Sequence, residues 1–279
     1  MRKSLVPFAA VLAMIVVACA QPPTDQAPQP GGQASTTPPT TPPATPSVPP
    51  TAVPGPSGTT VPVFQQPYSF GTPQALVPPT TEGLAPVVRR VETTKPYVFI
   101  TIDDGAVRHP LALELIRSSG VRPTLFLNTK YAEGHDDYFK PLQEQAQVSV
   151  QAHTATHPTL AGKSYESQKQ EICANMDFLG RDFGARPKLF RPPFGSYDRT
   201  TRKAATDCGV TAMVLWTASV NDGVVQFQAG SKLNAGDIVL MHFRKSFVED
   251  FLAFLNRARQ DGLTPVVLDD FLSSTSPKN

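Results

Sequence analysis

Tyr97-Val-Phe-Ile-Thr-Ile-Asp-Asp-Gly105 is the stretch that decides the fold. Its first six residues are aromatic, β-branched or both neighbours of such, and they suit a pleated strand. The run is too short for a buried helix, and it ends abruptly in two carboxylates and a glycine. Downstream, apolar runs of strand length alternate with helix-like segments. Pro110–Ser119 reads as a helix closed by Gly120, and Thr124–Leu127 as a second strand. A polar helix over Asp136–Gln145 precedes a strand at Val148–Val150, and Ser164–Asp182 is a long helix. Lys188–Phe190, Thr211–Leu215 and Ile238–Met241 read as further strands, and a helix over Phe247–Gln260 leads into Thr264–Leu268. This βαβα rhythm predicts a parallel sheet or barrel with helices outside it.

Upstream the composition changes. Of the 30 prolines in 279 residues, 19 lie between Pro22 and Pro86. Residues 19–60 lack the apolar side chains that offset ordering entropy, which predicts a disordered, extended spacer. Residues 61–93 contain Val61, Val63, Phe64, Tyr68, Phe70 and Leu76, and form an arm that can pack on the domain. The domain itself is read as 94–272, followed by a tail at 273–279.

The first residues read as an export signal over 1–18. Arg2 and Lys3 precede an apolar run, Leu5–Ala18, that falls short of the roughly 20 residues of a membrane span. Val16-Val17-Ala18-Cys19 resembles the lipobox of bacterial lipoproteins, with Cys19 as the acylated residue. The other reading is an ordinary cleaved signal with a chance cysteine. Export leaves Cys173 and Cys208 as an even pair in an oxidising setting, either bridged or as two buried thiols. The net charge of +2 and the absence of a Lys/Arg run give no sign of a nucleic-acid partner.

Five polar clusters remain: Asp103-Asp104, His153 with His157, Arg191, Asp222 and His242. Asp103, His153, Arg191 and His242 each fall just after a strand, and Asp222 lies in a loop after another. Parallel α/β barrels build active sites at that end. His153 and His157 share one face if they lie on a helical turn; Pro158 also allows a simple turn. Two imidazoles with the Asp104 carboxylate suit a borderline divalent ion such as Zn2+. Adjacent carboxylates are costly unless a charge offsets them, which a metal and Arg191 would do better than a helix cap. His109 and His135 lack ligand-like spacing. Trp216 either packs near the barrel mouth or lines a sugar subsite.

Taken in order, Thr101-Ile-Asp-Asp-Gly105, His153-Thr-Ala-Thr-His-Pro158, Arg191-Pro-Pro-Phe194 and Leu240-Met-His242 resemble the polysaccharide deacetylases with a NodB-like domain, carbohydrate esterase family 4. The resemblance covers about residues 94–272. It implies a distorted (β/α) barrel with fewer than eight repeats. It assigns Asp103 as general base and Asp104, His153 and His157 as metal ligands. Arg191 orients the base, His242 is the general acid, and Asp222 pairs with that histidine. Leu240 lines the acetyl pocket, and the backbone at Phe194 contributes to the oxyanion site. In the family's Asp-x-x-Asp-Trp motif, set in register by Trp216, Ser219 and Gly223 replace the first Asp and the Trp.

The implied function is metal-dependent removal of N-acetyl groups from an amino-sugar polymer, peptidoglycan or a chitin-like glycan. One divalent ion is expected, Zn2+ before Co2+ or another. The expected partner is an acetylated envelope glycan, with membrane contact through the lipid anchor alone and a monomeric chain. The location is extracytoplasmic and anchored, or else secreted. Three other readings stay open: an O-acetyl xylan esterase on the same scaffold, an inactive carbohydrate-binding lipoprotein, and an iron oxygenase built on two histidines and a carboxylate.

Overall fold

The computed structural model describes residues 60–275 together with the short strand Val53–Pro54. The signal at 1–18, Cys19 and nearly all of the proline-rich spacer lie outside the described residues. Strand β1 (Val53–Pro54) pairs with β2 (Thr60–Val61). Next come β3 (Val87–Val88), β4 (Tyr97–Asp104), α1 (Ala112–Ser119), β5 (Thr124–Leu127), α2 (Thr129–Ala132), α3 (Asp136–Ala146) and β6 (Ser149–Ala152). They are followed by α4 (Tyr165–Asp182), β7 (Leu189–Phe190), α5 (Arg199–Asp207), β8 (Ala212–Val214), β9 (Ala218–Asn221) and β10 (Val224–Phe227). The chain closes with β11 (Ile238–His242), α6 (Phe247–Gln260) and β12 (Thr264–Pro265).

The sheet runs β10-β9-β11-β4-β5-β6-β7-β8-β3, with β12 also beside β4. All its pairings are parallel except the β9–β10 hairpin. This is an α/β half-barrel with six α-helices, the distorted barrel that the sequence implies. Curvature toward closure comes from the segment Ala212–Asn221. It leaves β7, breaks at Leu215–Thr217 and joins β11. At the other end of the strands the N-terminal arm fills the gap. Val87 and Val88 pair with Met213 and Val214, and Arg90 bridges to Asp237 just ahead of β11. Gly236 permits this: its φ is +87°, and a Cβ there would lie 2.0 Å from the Val91 carbonyl oxygen.

Period-two alternation along β4 divides its side chains between two cores. Val98, Ile100 and Ile102 join the large cluster under the helices, with Leu115, Phe139 and Phe251. Phe99 joins a smaller cluster with Phe126, Val214, Ile238 and Phe271. Thr101 and Asp103 follow Phe99 on the same parity, so the inner face of β4 changes from apolar to acidic as it rises.

Several elements have no counterpart in the sequence reading, among them β3, α2, α5 and the β9–β10 hairpin. Helix α5 is polar along most of its length but buries Thr201, Ala204 and Ala205, and a reciprocal capping box of Asp198 and Thr201 fixes its start. The β9–β10 hairpin turns at Asp222-Gly223. Thr264–Leu268, expected as a strand, pairs only at Thr264–Pro265, and the chain then turns into a 3-10 segment at Asp269–Phe271. The structure joins Cys173 of α4 to Cys208 at the end of α5 as a disulfide, with Cα atoms 5.1 Å apart.

Candidate active site

At the C-terminal end of β4 the chain carries Asp103 inward, 2% exposed. Its Oδ1 accepts a 2.6 Å hydrogen bond from Arg191 Nη1. Arg191 is fully buried and is committed along its whole fork. Nη1 also donates to Thr101 Oγ1 (2.8 Å), Nε to the Val214 carbonyl (3.2 Å) and Nη2 to the Leu215 carbonyl (3.3 Å). Its guanidinium lies over the Phe126 ring at 4.3 Å and near Trp216 at 5.5 Å. Burial pushes the guanidinium pKa down, and the Asp103 charge opposes this. The pair leaves Asp103 Oδ2 free of Arg191 and 3.6 Å from His153 Nε2.

Strand parity alone would turn Asp104 away from that face. Its φ of 76°, in the left-handed region, brings it round instead. Gly105 follows at φ +90°, where a Cβ would lie 2.8 Å from Phe139 Cζ. Asp104 Oδ1 lies 3.5 Å from His153 Nε2 and 3.3 Å from His157 Nε2. Ligand atoms of the three residues all fall within 4.8 Å of one another. The two histidines are brought together by a loop, with Thr154 at φ 74° and His157 at φ 65°, so the helical-turn version of the pair is corrected. Pro158 and the early end of β6 leave no room for a helix there.

This donor set fits a divalent cation. Asp104 Oδ1 is buried and has no hydrogen-bond partner among the described residues. His153 Nδ1 is 2.6 Å from the Arg191 carbonyl, which fixes the proton on Nδ1 and leaves the Nε2 lone pair facing the other ligands. The local field also favours positive charge. Burial pushes His153 down, but Asp103 and then Asp104 outweigh it and raise its pKa. Burial pushes Asp104 up, yet His153, His242 and His157 together lower it. His157 is depressed by burial and by the His153 charge.

His242 ends β11 in register with Asp103 on β4. Burial depresses its pKa, with Asp103 and Asp104 opposing. Its Nδ1 is buried without a partner among the described residues, and the expected pairing with Asp222 is corrected. Asp222 sits in the β9–β10 turn at φ 50°, and its Oδ1 accepts from Ser246 Oγ at 3.1 Å. The next residue, Gly223, donates its N–H to Asp250 of α6 at 2.8 Å, so the turn is tied to the start of α6 and not to β11.

Around the rim, Phe194 sits at φ 60° and is 68% exposed, its ring 4.7 Å from His157. Leu240 is buried, and Trp216 is half-buried near Gly195. His109 stacks on Phe247, and its Nδ1 accepts the Leu111 N–H as a cap. Sequence reasoning missed Thr101, Asn128, Glu171 and Asn175. Asn128 donates to the His153 and Thr154 carbonyls, and Asn175 Oδ1 accepts the His153 N–H at 2.9 Å. Thr101, Asn128 and Asn175 are buried polar residues and Glu171 is half-buried, and no motif or spacing gives any of them a role.

Fold and site together define an α/β half-barrel domain with a candidate Asp–His–His metal centre beside an arginine-held carboxylate. Comparison with known proteins says what this domain is similar to. Residues 90–213 match the family model described as polysaccharide deacetylase. An uncharacterized protein of Streptomyces coelicolor is 44% identical over 159 residues, covering 56% of this chain and 63% of that protein. The peptidoglycan-N-acetylglucosamine deacetylase of Bacillus cereus is 29% identical over 130 residues, 46% of each chain. This chain thus spans less than two thirds of the length of either relative. Among solved structures, a mutant of a Bacillus anthracis carbohydrate esterase family 4 pseudoenzyme, with restored enzymatic activity, aligns with TM-score 0.59 at 23% identity. That alignment covers 70% of this chain and 75% of the other. Residues 90–213 are thus similar to a polysaccharide deacetylase domain, and the solved structure shares the fold.

Proposed function

We propose that the protein is a metal-dependent hydrolase that removes N-acetyl groups from an amino-sugar polymer of the cell envelope. The observation that carries the reading is the buried, unpartnered Asp104 oxygen between two histidines, directly beside the Arg191-held carboxylate of Asp103.

Asp104, His153 and His157 would hold one divalent ion, Zn2+ before others. When bound, such an ion supplies Lewis acidity to a carbonyl oxygen and makes water more acidic. The chain's own groups divide the remaining work. Arg191 locks Asp103 Oδ1 and leaves Oδ2 to take a proton from water attacking the acetamide carbon. A backbone N–H at Phe194 would donate to the oxygen that becomes negative. His242 would protonate the departing amine, which leaves poorly as an anion. Its depressed pKa makes it a stronger acid once protonated. Asp222 would serve only if the β9–β10 turn moved it off Ser246. Trp216, Leu240 and the exposed Phe194 ring would border the acetyl group and the sugar.

The export signal, acylation at Cys19 and the proline-rich spacer would place this domain outside the cytoplasm within reach of a wall polymer, as a monomer. A Cys19→Ser chain that stays in the membrane fraction would refute the anchor. The reaction is tested by acetate release from peptidoglycan, chitin oligosaccharide and acetylxylan, with and without a chelator. Chelator-sensitive release from an N-acetylated glycan is expected. Release from acetylxylan alone would make this an O-acetyl esterase, and no release from any would make it a carbohydrate-binding protein.

A further inference from the structure

The loop that carries His153 and His157 is held from two sides: Asn128 and Lys130, after β5, donate to the carbonyls of His153, Thr154 and Ala155, and α4 grips its N–H groups. Its conformation is costly: Thr154 and His157 are non-glycine residues in the left-handed region. Such strain persists only where neighbours fix the backbone. On the N–H side the neighbour is a single turn of α4. Asn175 is fully buried, and its Oδ1 accepts the His153 N–H at 2.9 Å. Its Nδ2 donates to the Leu127 carbonyl (3.1 Å) and Thr129 Oγ1 (3.0 Å), so the amide ties the loop to the end of β5. One turn earlier, Glu171 grips the loop's exposed crest. Its Oε2 accepts the Thr156 N–H (2.9 Å), its Oε1 accepts from Thr156 Oγ1 (2.7 Å), and its backbone carbonyl accepts the Ala155 N–H (3.0 Å). Between these two residues lies Cys173, whose disulfide to Cys208 fastens this turn of α4 to the end of α5.

We propose that Glu171 and Asn175 are positioning residues for the metal centre, holding the His153–His157 loop in the strained form that points both imidazoles at Asp104. The inference rests on the metal reading above. Both carboxylate oxygens of Glu171 are engaged with Thr156, and Glu171 is not among the three residues whose ligand atoms are gathered. Its effect must pass through the loop. Partners of this kind change metal affinity by about 10–100-fold.

The test is Zn2+ affinity of the full chain by competition with a chromophoric chelator, with Co2+ absorption bands as a readout of ligand geometry. Glu171→Ala and Asn175→Ala should each weaken Zn2+ binding by at least about tenfold and shift the Co2+ bands. Asn175→Asp, which keeps the acceptor for His153 N–H, should recover most of that loss. Thr156→Val removes one side of the Glu171 grip at an exposed position and should weaken binding several-fold without lowering the metal-free Tm. It decides the matter if Asn175→Ala does not fold. Glu166→Gln, exposed on the first turn of α4, should match the wild type. Wild-type affinity and unchanged Co2+ bands in both Thr156→Val and Glu171→Ala would overturn the inference while leaving the metal reading intact. A wild-type chain that binds no Zn2+ would remove both together.

Discussion

Phe194 holds two costs at once: a left-handed backbone without glycine, and a large ring 68% exposed to water. The ring packs on His157, 4.7 Å away, and leaves its other face open beside the candidate metal ligands, as suits a residue kept for contact with something outside the chain. Phe194→Gly should therefore hold or raise Tm by relieving strain, while raising KM for glycan substrates. An unchanged KM would remove the ring from the sugar site. His157→Ala, by contrast, should lose metal and turnover together, read by metal content after dialysis. The residue scale also shows where sequence stops being legible. Asp103, Arg191 and His242 were readable because strand ends announce themselves. The left-handed turns at Asp104, Thr154 and His157 were not, because no glycine marks them. The family resemblance places Asp222 on His242, and the hairpin turn takes it to Ser246 instead.

Among the elements, strands β4, β5 and β11 and helices α4 and α6 follow from apolar periodicity, within a residue or two at most ends. Helix α5 did not, because only three of its residues are buried and its start depends on a capping box. It matters more than its polarity suggests, since it anchors α4 through Cys208. A Cys173→Ser/Cys208→Ser chain should lose about 3–4 kcal/mol of stability in urea unfolding, the chain-entropy value for a loop of this length. A loss under about 1 kcal/mol would mean that α4 and α5 stay docked by packing alone.

Across the whole molecule, the N-terminal arm and the C-terminal segment seal the base of the half-barrel together. Asp270 accepts the Gly71 N–H through its side chain, and the Gln74 and Ala75 N–H groups through its carbonyl. Burial, with help from the Asp269 charge and against Arg122, pushes the Asp270 pKa up to about 7. A carboxyl raised in the folded state binds its proton more tightly there than when unfolded. Its stabilising effect is therefore complete below about pH 4 and is lost as pH rises through 7. Asp270→Asn should raise Tm at pH 8 by about 2–4 °C and leave it unchanged near pH 4. Equal Tm values at both pH values would show that the carboxyl is solvated.

The proposed function turns on Asp103 acting as the base beside a metal ion that it does not ligate. The most direct test is acetate release by Asp103→Asn with its Zn2+ content measured on the same sample. The variant keeps an acceptor for Arg191 but leaves that buried charge without its counter-ion, so some stability is lost. Zn2+ bound at the wild-type ratio, with acetate release from an N-acetylated glycan down about 10²–10⁴-fold, is the predicted result. Wild-type release from the metal-loaded variant would contradict the account.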